Sequence, residues 1–272
     1  MKAIACCGTE REIDRSHCAP SGLLANNAMT EKPSIRLFID APLSEGVAVA
    51  CNEDQANYLG NVLRLSAGAE IAIFNGRDGE WRARIAEIRK KRCMLECLER
   101  IRPQHDGPDI HYLFAPLKHA RLDYMVQKAA ELGVAHLQPV ITRRTVAARV
   151  NLERMRANAI EAAEQCGVLR VPTVGEPLKL EALLAQWPAD RQMIFCDEGA
   201  EVANPLEALR ALAPGPLAVI VGPEGGFDPT ERQALQGCPF TTAISLGPRI
   251  MRADTAAVAA LALVNATLGD WH

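Results

Sequence analysis

Residues 217–226 confine the fold more than any other stretch: Leu-Ala-Val-Ile-Val runs straight into Gly-Pro-Glu-Gly-Gly. Five apolar, largely β-branched residues with no polar alternation describe a strand buried on both faces. Three glycines within five residues then allow backbone N–H groups to come close to a ligand. Asp228, Pro229 and Glu231 follow as N-cap, first helical residue and capping-box partner. A plain strand-to-helix turn needs one glycine and no carboxylate at its centre. The segment therefore predicts a binding loop around Val221, Gly222, Glu224, Gly225 and Gly226.

A second junction of the same kind lies at Ile244-Ser245-Leu246-Gly247-Pro248-Arg249-Ile250-Met251-Arg252-Ala253-Asp254-Thr255. Here Asp254 is the predicted helix N-cap. Leu246 and Gly247 lead into the turn, and Ile250 and Met251 form an apolar wall suited to an aromatic ring or a thioether. Arg252 is placed to hold an anion or a carboxylate. Two such junctions at strand carboxyl ends point to one site, because ligands of open α/β sheets bind there. No GxGxxG, GxxxxGK[ST] or Gly-x-Ser-x-Gly segment accompanies them, which excludes the dinucleotide, P-loop and hydrolase readings of the glycines.

Around these junctions strands alternate with helices from residue 110 onward. Strands are predicted at His111–Ala115, Ala135–Ile141, Met193–Cys196, Leu217–Val221 and Thr242–Leu246. Helices are predicted at Leu117–Leu132, Asn151–Cys166, Pro205–Leu212, Pro229–Leu235 and Thr255–Leu268. The pattern is an α/β domain, 110–272, with a mainly parallel sheet and helices on both faces. Residues 33–102 read differently, as short strands with Asn75-Gly76 and Asp78-Gly79 turn signals and one helix near Asp54–Leu63. This is a small β domain. The Pro- and Gly-containing stretch 103–109 is the predicted linker. Residues 1–32 show no sustained period and read as a disordered extension, with Met29 a plausible biological start.

Composition narrows the class. The longest apolar run, about fourteen residues near Thr255–Leu268, is too short to span a bilayer. No basic region precedes an apolar core at the N-terminus, so a cytosolic address is expected. The nine cysteines contain no CxxC pair and no histidines at zinc spacing, so neither a metal nor a disulfide framework is expected. Net charge is −3, but residues 118–170 carry nine Lys/Arg against five Asp/Glu. A polyanion can meet a positive surface on a mildly acidic chain; solvated helix and strand faces explain the same charges.

Several segments together resemble the SPOUT, or α/β-knot, methyltransferases, and more narrowly the RsmE-type 16S ribosomal RNA uridine-N3 methyltransferases. They are Arg36-Leu37-Phe38-Ile39, Asn61-Val62-Leu63-Arg64, Phe74-Asn75-Gly76-Arg77-Asp78-Gly79, Gln127–Gly133, Ile160–Cys166, Gly222–Phe227 and Leu246–Ile250. The resemblance implies a PUA-like β-barrel ahead of a trefoil-knotted SPOUT domain, and a cytoplasmic homodimer with its active site near the subunit interface. It implies S-adenosylmethionine as cofactor, no metal, and the small ribosomal subunit or its 16S RNA as partner. Cofactor-binding residues carried over are Cys196, Glu198, Val221, Gly222, Glu224, Gly225, Gly226, Leu246, Gly247, Ile250, Met251 and Arg252.

Uridine N3 is a weakly acidic imide nitrogen and must lose its proton before it can attack a sulfonium methyl. That chemistry assigns Glu224 to proton handling and Arg252 to charge stabilisation. Arg143, Arg144 and Arg149 are the expected phosphate contacts, followed by Arg36 and Arg64. Two other readings stand beside this one. One is a SPOUT enzyme acting on a tRNA base or a ribose 2′-hydroxyl; the other is a noncatalytic RNA-binding ribosome-assembly factor.

Overall fold

A computed structural model describes residues 33–147, 149–200 and 204–271. The predicted extension and the Met29 start lie outside the described residues. Residues from Pro33 onward belong to one compact unit that contains two sheets.

The first sheet joins β1 (Arg36–Phe38), β2 (Ala48–Ala50), β3 (Glu70–Phe74), β4 (Glu80–Arg89) and β5 (Arg92–Arg102) in the order β1-β3-β4-β5-β2. Only the β1–β3 pairing is parallel. Between β2 and β3 stand α1 (Glu53–Asn57) and a π-helical turn, Tyr58–Val62. The turn between β3 and β4 is organised by Asn75, which is 4% exposed. Its side-chain oxygen accepts from the backbone N–H groups of Arg77 and Asp78.

The second sheet is parallel throughout. It comprises β6 (Ile110–Phe114), β7 (His136–Ile141), β8 (Thr173–Val174), β10 (Gln192–Cys196), β11 (Leu217–Val221) and β12 (Thr241–Ile244), in the order β12-β10-β11-β6-β7-β8; β9 (Leu178–Lys179) pairs with β7. Its helices are α2 (His119–Glu131), α3 (Leu152–Cys166), α4 (Leu180–Ala185), α5 (Pro205–Arg210), α6 (Pro229–Gln236) and α7 (Ala253–Leu268).

Strand β11 shows why both faces are covered. All five of its residues are buried. Leu217, Val219 and Val221 pack with α2, α3, α5 and α7, while Ala218 and Ile220 pack with α4 and α6. The period of two in side-chain direction makes this division. Met125, Val126, Ala129 and Ala130 are buried on α2, with Leu122 and Leu132 partly buried beside them, the i, i+3, i+4, i+7 face of an amphipathic helix. The two-residue strands β8 and β9, β2 and the six-residue α4 escaped the sequence reading, because elements that short carry too little periodicity.

Three helices, α2, α4 and α7, start on a basic residue that makes no side-chain cap; α3 and α6 are capped by local chemistry. Asn151 caps α3 through Arg154 N–H, and Asp228 with Glu231 forms the predicted capping box of α6. Asp254 does not cap α7. The cap residue is Arg252, with extended backbone, and Asp254 falls in the first turn, its carboxylate accepting from Thr255 N–H at 3.0 Å. An acidic side chain there still meets the positive helix end favourably.

The two sheets are tied by arginines. Arg36 is 8% exposed and pairs with Glu80, which is fully buried. Its remaining N–H groups donate to the carbonyls of Ala163, Glu164 and Val168 at the end of α3. Arg102 also pairs with Glu80 and donates to Gly167 O. The expectation that Arg36 contacts phosphate is corrected by this geometry. Its guanidinium is committed to the junction, where α3 carbonyls left open at the helix end need donors.

Candidate active site

The strand order places the ends of β12, β10 and β11 side by side. Their loops, 197–200, 222–228 and 245–252, enclose a cavity of about 230 Å³. Of the predicted ligand-binding residues, Cys196, Glu198, Val221, Gly222, Glu224, Gly226, Leu246, Gly247, Ile250 and Met251 line it. Gly225 and Arg252 do not. Gly225 belongs to the same loop but turns its carbonyl to Arg144, which donates to it at 2.7 Å. Arg252 is exposed at the start of α7.

The glycine loop is tightly built. Gly226 N–H donates to Pro223 O at 2.8 Å, closing a turn, and Gly226 has φ +70°, a conformation costly for residues with a Cβ. Phe227 folds back over Gly222 so closely that a Cβ there would stand 2.7 Å from its ring. The same ring meets Phe195 edge-on at 5.2 Å. The turn thus rests on an aromatic pair packed beneath the cavity.

The opposite wall starts at the end of β10. Burial pushes the Cys196 thiol up to about 12, so it stays a neutral lining group. Asp197 is 4% exposed and accepts from Arg232 Nε through both oxygens at 2.9 Å. Gln236 and the Gly199 N–H complete its hydrogen bonds. Neither Asp197 nor Arg232 was singled out from the sequence; an acid closing an apolar strand was the available signal. Glu198 is exposed in the lining, its Oε1 close to Gly226. Across the mouth lies Ile250, 89% exposed.

Glu224 forms an ion pair with Arg121 from the first turn of α2. Arg121 also went unrecognised in the sequence, because a single arginine on an amphipathic helix carries no local signal. Arg143 donates to Asp228 Oδ1 at 3.1 Å, and its backbone N–H donates to Glu231 Oε1. Arg143 and Arg144 therefore border the glycine loop. Arg149 lines a separate cleft with Lys118, Leu122 and Met155. Arg64 is exposed after the π-helical turn, with left-handed backbone at φ +55°. Arg64 and Arg149 are thus not gathered at the cavity.

The lining fits S-adenosylmethionine. Leu246, Ile250 and Met251 supply an apolar wall, the glycine loop supplies close backbone, and Glu198 supplies an acceptor of the kind ribose hydroxyls use. Among the described residues no cluster of three or more His, Cys, Asp or Glu is placed to hold a metal ion. Nor, among them, is any helix long and apolar enough to cross a membrane.

Residues 105–265 match the RNA methyltransferase domain family, and residues 52–96 match the RNA methyltransferase PUA domain. The chain is 31% identical over 232 residues to ribosomal RNA small subunit methyltransferase E of Rickettsia conorii, covering 85% of this chain and 94% of that protein. Its fold is similar to that of the Neisseria gonorrhoeae ribosomal RNA small subunit methyltransferase E bound to S-adenosyl methionine. There the TM-score is 0.79 at 29% identity, covering 88% of this chain and 99% of the other. It is also similar to a putative methyltransferase of Legionella pneumophila in complex with the same cofactor, with TM-score 0.77 at 29% identity and coverage of 87% and 98%. The fold, the glycine-lined cavity and these likenesses agree: the chain belongs to the ribosomal RNA small subunit methyltransferase E family of RNA methyltransferases.

Proposed function

We propose that this protein is an S-adenosylmethionine-dependent methyltransferase acting on N3 of a uridine in 16S ribosomal RNA, in the cytoplasm and as a homodimer. The observation that carries the reading is the cavity formed by three adjacent strand ends, lined by nearly all the residues expected to hold the cofactor. The SPOUT knot and the separation into a β domain, 33–102, and a catalytic domain, 110–272, belong to the same proposal.

Leu246, Ile250 and Met251 hold the apolar parts of the cofactor, and Glu198 accepts from its ribose hydroxyls. Bound S-adenosylmethionine supplies an electrophilic methyl on a sulfonium whose leaving group is a neutral thioether. Glu224 sits at the rim to take up the imide proton of the base. Arg143 and Arg144, beside the glycine loop, lead the phosphate backbone toward it. The target uridine must be unpaired or extruded to reach the cavity.

Calorimetry and methyl transfer to small subunits lacking the modification test the proposal together. Cofactor binding with formation of N3-methyluridine is the predicted result. Cofactor binding with another methylated nucleoside contradicts the assigned base, and no binding contradicts the enzyme reading.

A further inference from the structure

The ion pair between Arg121 and Glu224 joins α2 to the cofactor cavity, and it changes the assignment of charge in the reaction. Glu224 lines the cavity, and Arg121, outside the lining, is joined to it by that carboxylate. Both side chains remain part exposed, at 52% and 40%, so an incoming base can touch either. Arg252, expected to stabilise charge, does not line the cavity. The other charges around it are Glu198, the Asp197–Arg232 pair, Arg249, and Arg144 on the Gly225 carbonyl. Arg232 and Arg144 are each engaged in hydrogen bonds of their own.

We propose that Arg121 is the residue that stabilises the uridine anion, handed over from Glu224 as that carboxylate takes the N3 proton. This rests on the uridine-N3 reading above. In the resting enzyme the guanidinium and carboxylate neutralise each other. When the base arrives, the N3–H bond breaks, its proton passes to Glu224, and its electron pair stays on the imide. Glu224 becomes neutral and loses its hold on Arg121. The freed guanidinium pairs with the negative imide oxygen, so one positive charge faces one negative charge before and after the step. The N3 pair then forms the N–CH₃ bond while the S–CH₃ bond breaks with its pair on sulfur. Glu224 releases its proton to water and recovers Arg121.

The test compares Arg121→Ala, Arg121→Lys and wild type on small subunits, with cofactor affinity measured separately by calorimetry. Wild type must first yield N3-methyluridine; if it yields none, the functional reading fails and not this inference. Arg121→Ala is expected to lose about 100- to 1,000-fold in kcat, the usual cost of one anion-stabilising donor. Its cofactor Kd should be unchanged, and Arg121→Lys should recover part of the rate. The defect should shrink as pH rises. It should shrink likewise on RNA carrying 5-fluorouridine, whose N3 proton is more acidic. A defect of equal size at every pH and on both RNAs would overturn the inference, as would a wild-type rate in Arg121→Ala.

Discussion

Arg232 holds both carboxylate oxygens of Asp197 at 2.9 Å, within the cavity wall. Because Asp197 is 4% exposed, this pair fixes the end of β10 and the loop that carries Glu198. Asp197→Ala leaves Arg232, Gln236 and the Gly199 N–H without their shared acceptor. Loss of about 2–3 kcal/mol of unfolding free energy is expected, together with weaker cofactor binding. Urea melts and calorimetry on the same variant check both.

The glycine loop makes a second prediction. At Gly222 a methyl group would meet the Phe227 ring at 2.7 Å, so Gly222→Ala must displace the ring or the loop. Cofactor affinity should fall at least tenfold, about 1.4 kcal/mol, with the melting temperature changed little. Gly226→Ala adds the strain of φ +70°, about 1–2 kcal/mol. Titration of each variant with S-adenosylmethionine measures the effect.

Glu80 predicts a structural effect far from the chemistry. It is fully buried between Arg36 and Arg102, and both arginines also hold the end of α3. Glu80→Gln removes the negative partner from two guanidinium groups, and a loss of about 3 kcal/mol is expected. Denaturant midpoints should drop while cofactor affinity per folded molecule stays the same.

Acid sensitivity has a named contributor. Burial, with help from the positive charge of Arg191, lowers His111 from 6.5 to about 4. The unfolded chain therefore takes up a proton in that range that the folded chain refuses. Stability from this group is present above pH 6.5 and is lost as pH falls from 6.5 toward 4. His111→Gln should flatten that part of the stability–pH curve by about 1–2 kcal/mol, allowing for a side chain 29% exposed. Melts across pH 4–7 on both proteins show it.

Much of this architecture is readable from short-range pattern. The unbroken apolar run of β11, the stripe Met125–Val126–Ala129 and the Asp228–Pro229–Glu231 cap each depend on neighbours in sequence. So do the glycines of the cavity loops. What escaped depends on partners far along the chain. Arg36 resembles any basic residue flanking a strand until Glu80 and the α3 carbonyls, 44 and more than 125 positions away, surround it. Arg121 meets Glu224 across 103 positions. The cap of α7 was misplaced by two residues because Asp254 is a good cap by type, while the backbone at Arg252 decides where the helix starts.

On the proposed function, this cavity serves methylation of a uridine at N3 in small-subunit RNA. Nucleoside digestion of that RNA from a strain lacking the gene, with and without the wild-type gene restored, tests it most directly. N3-methyluridine is expected to disappear in the deletion and to return with the gene. Persistence of N3-methyluridine in the deletion strain would contradict it.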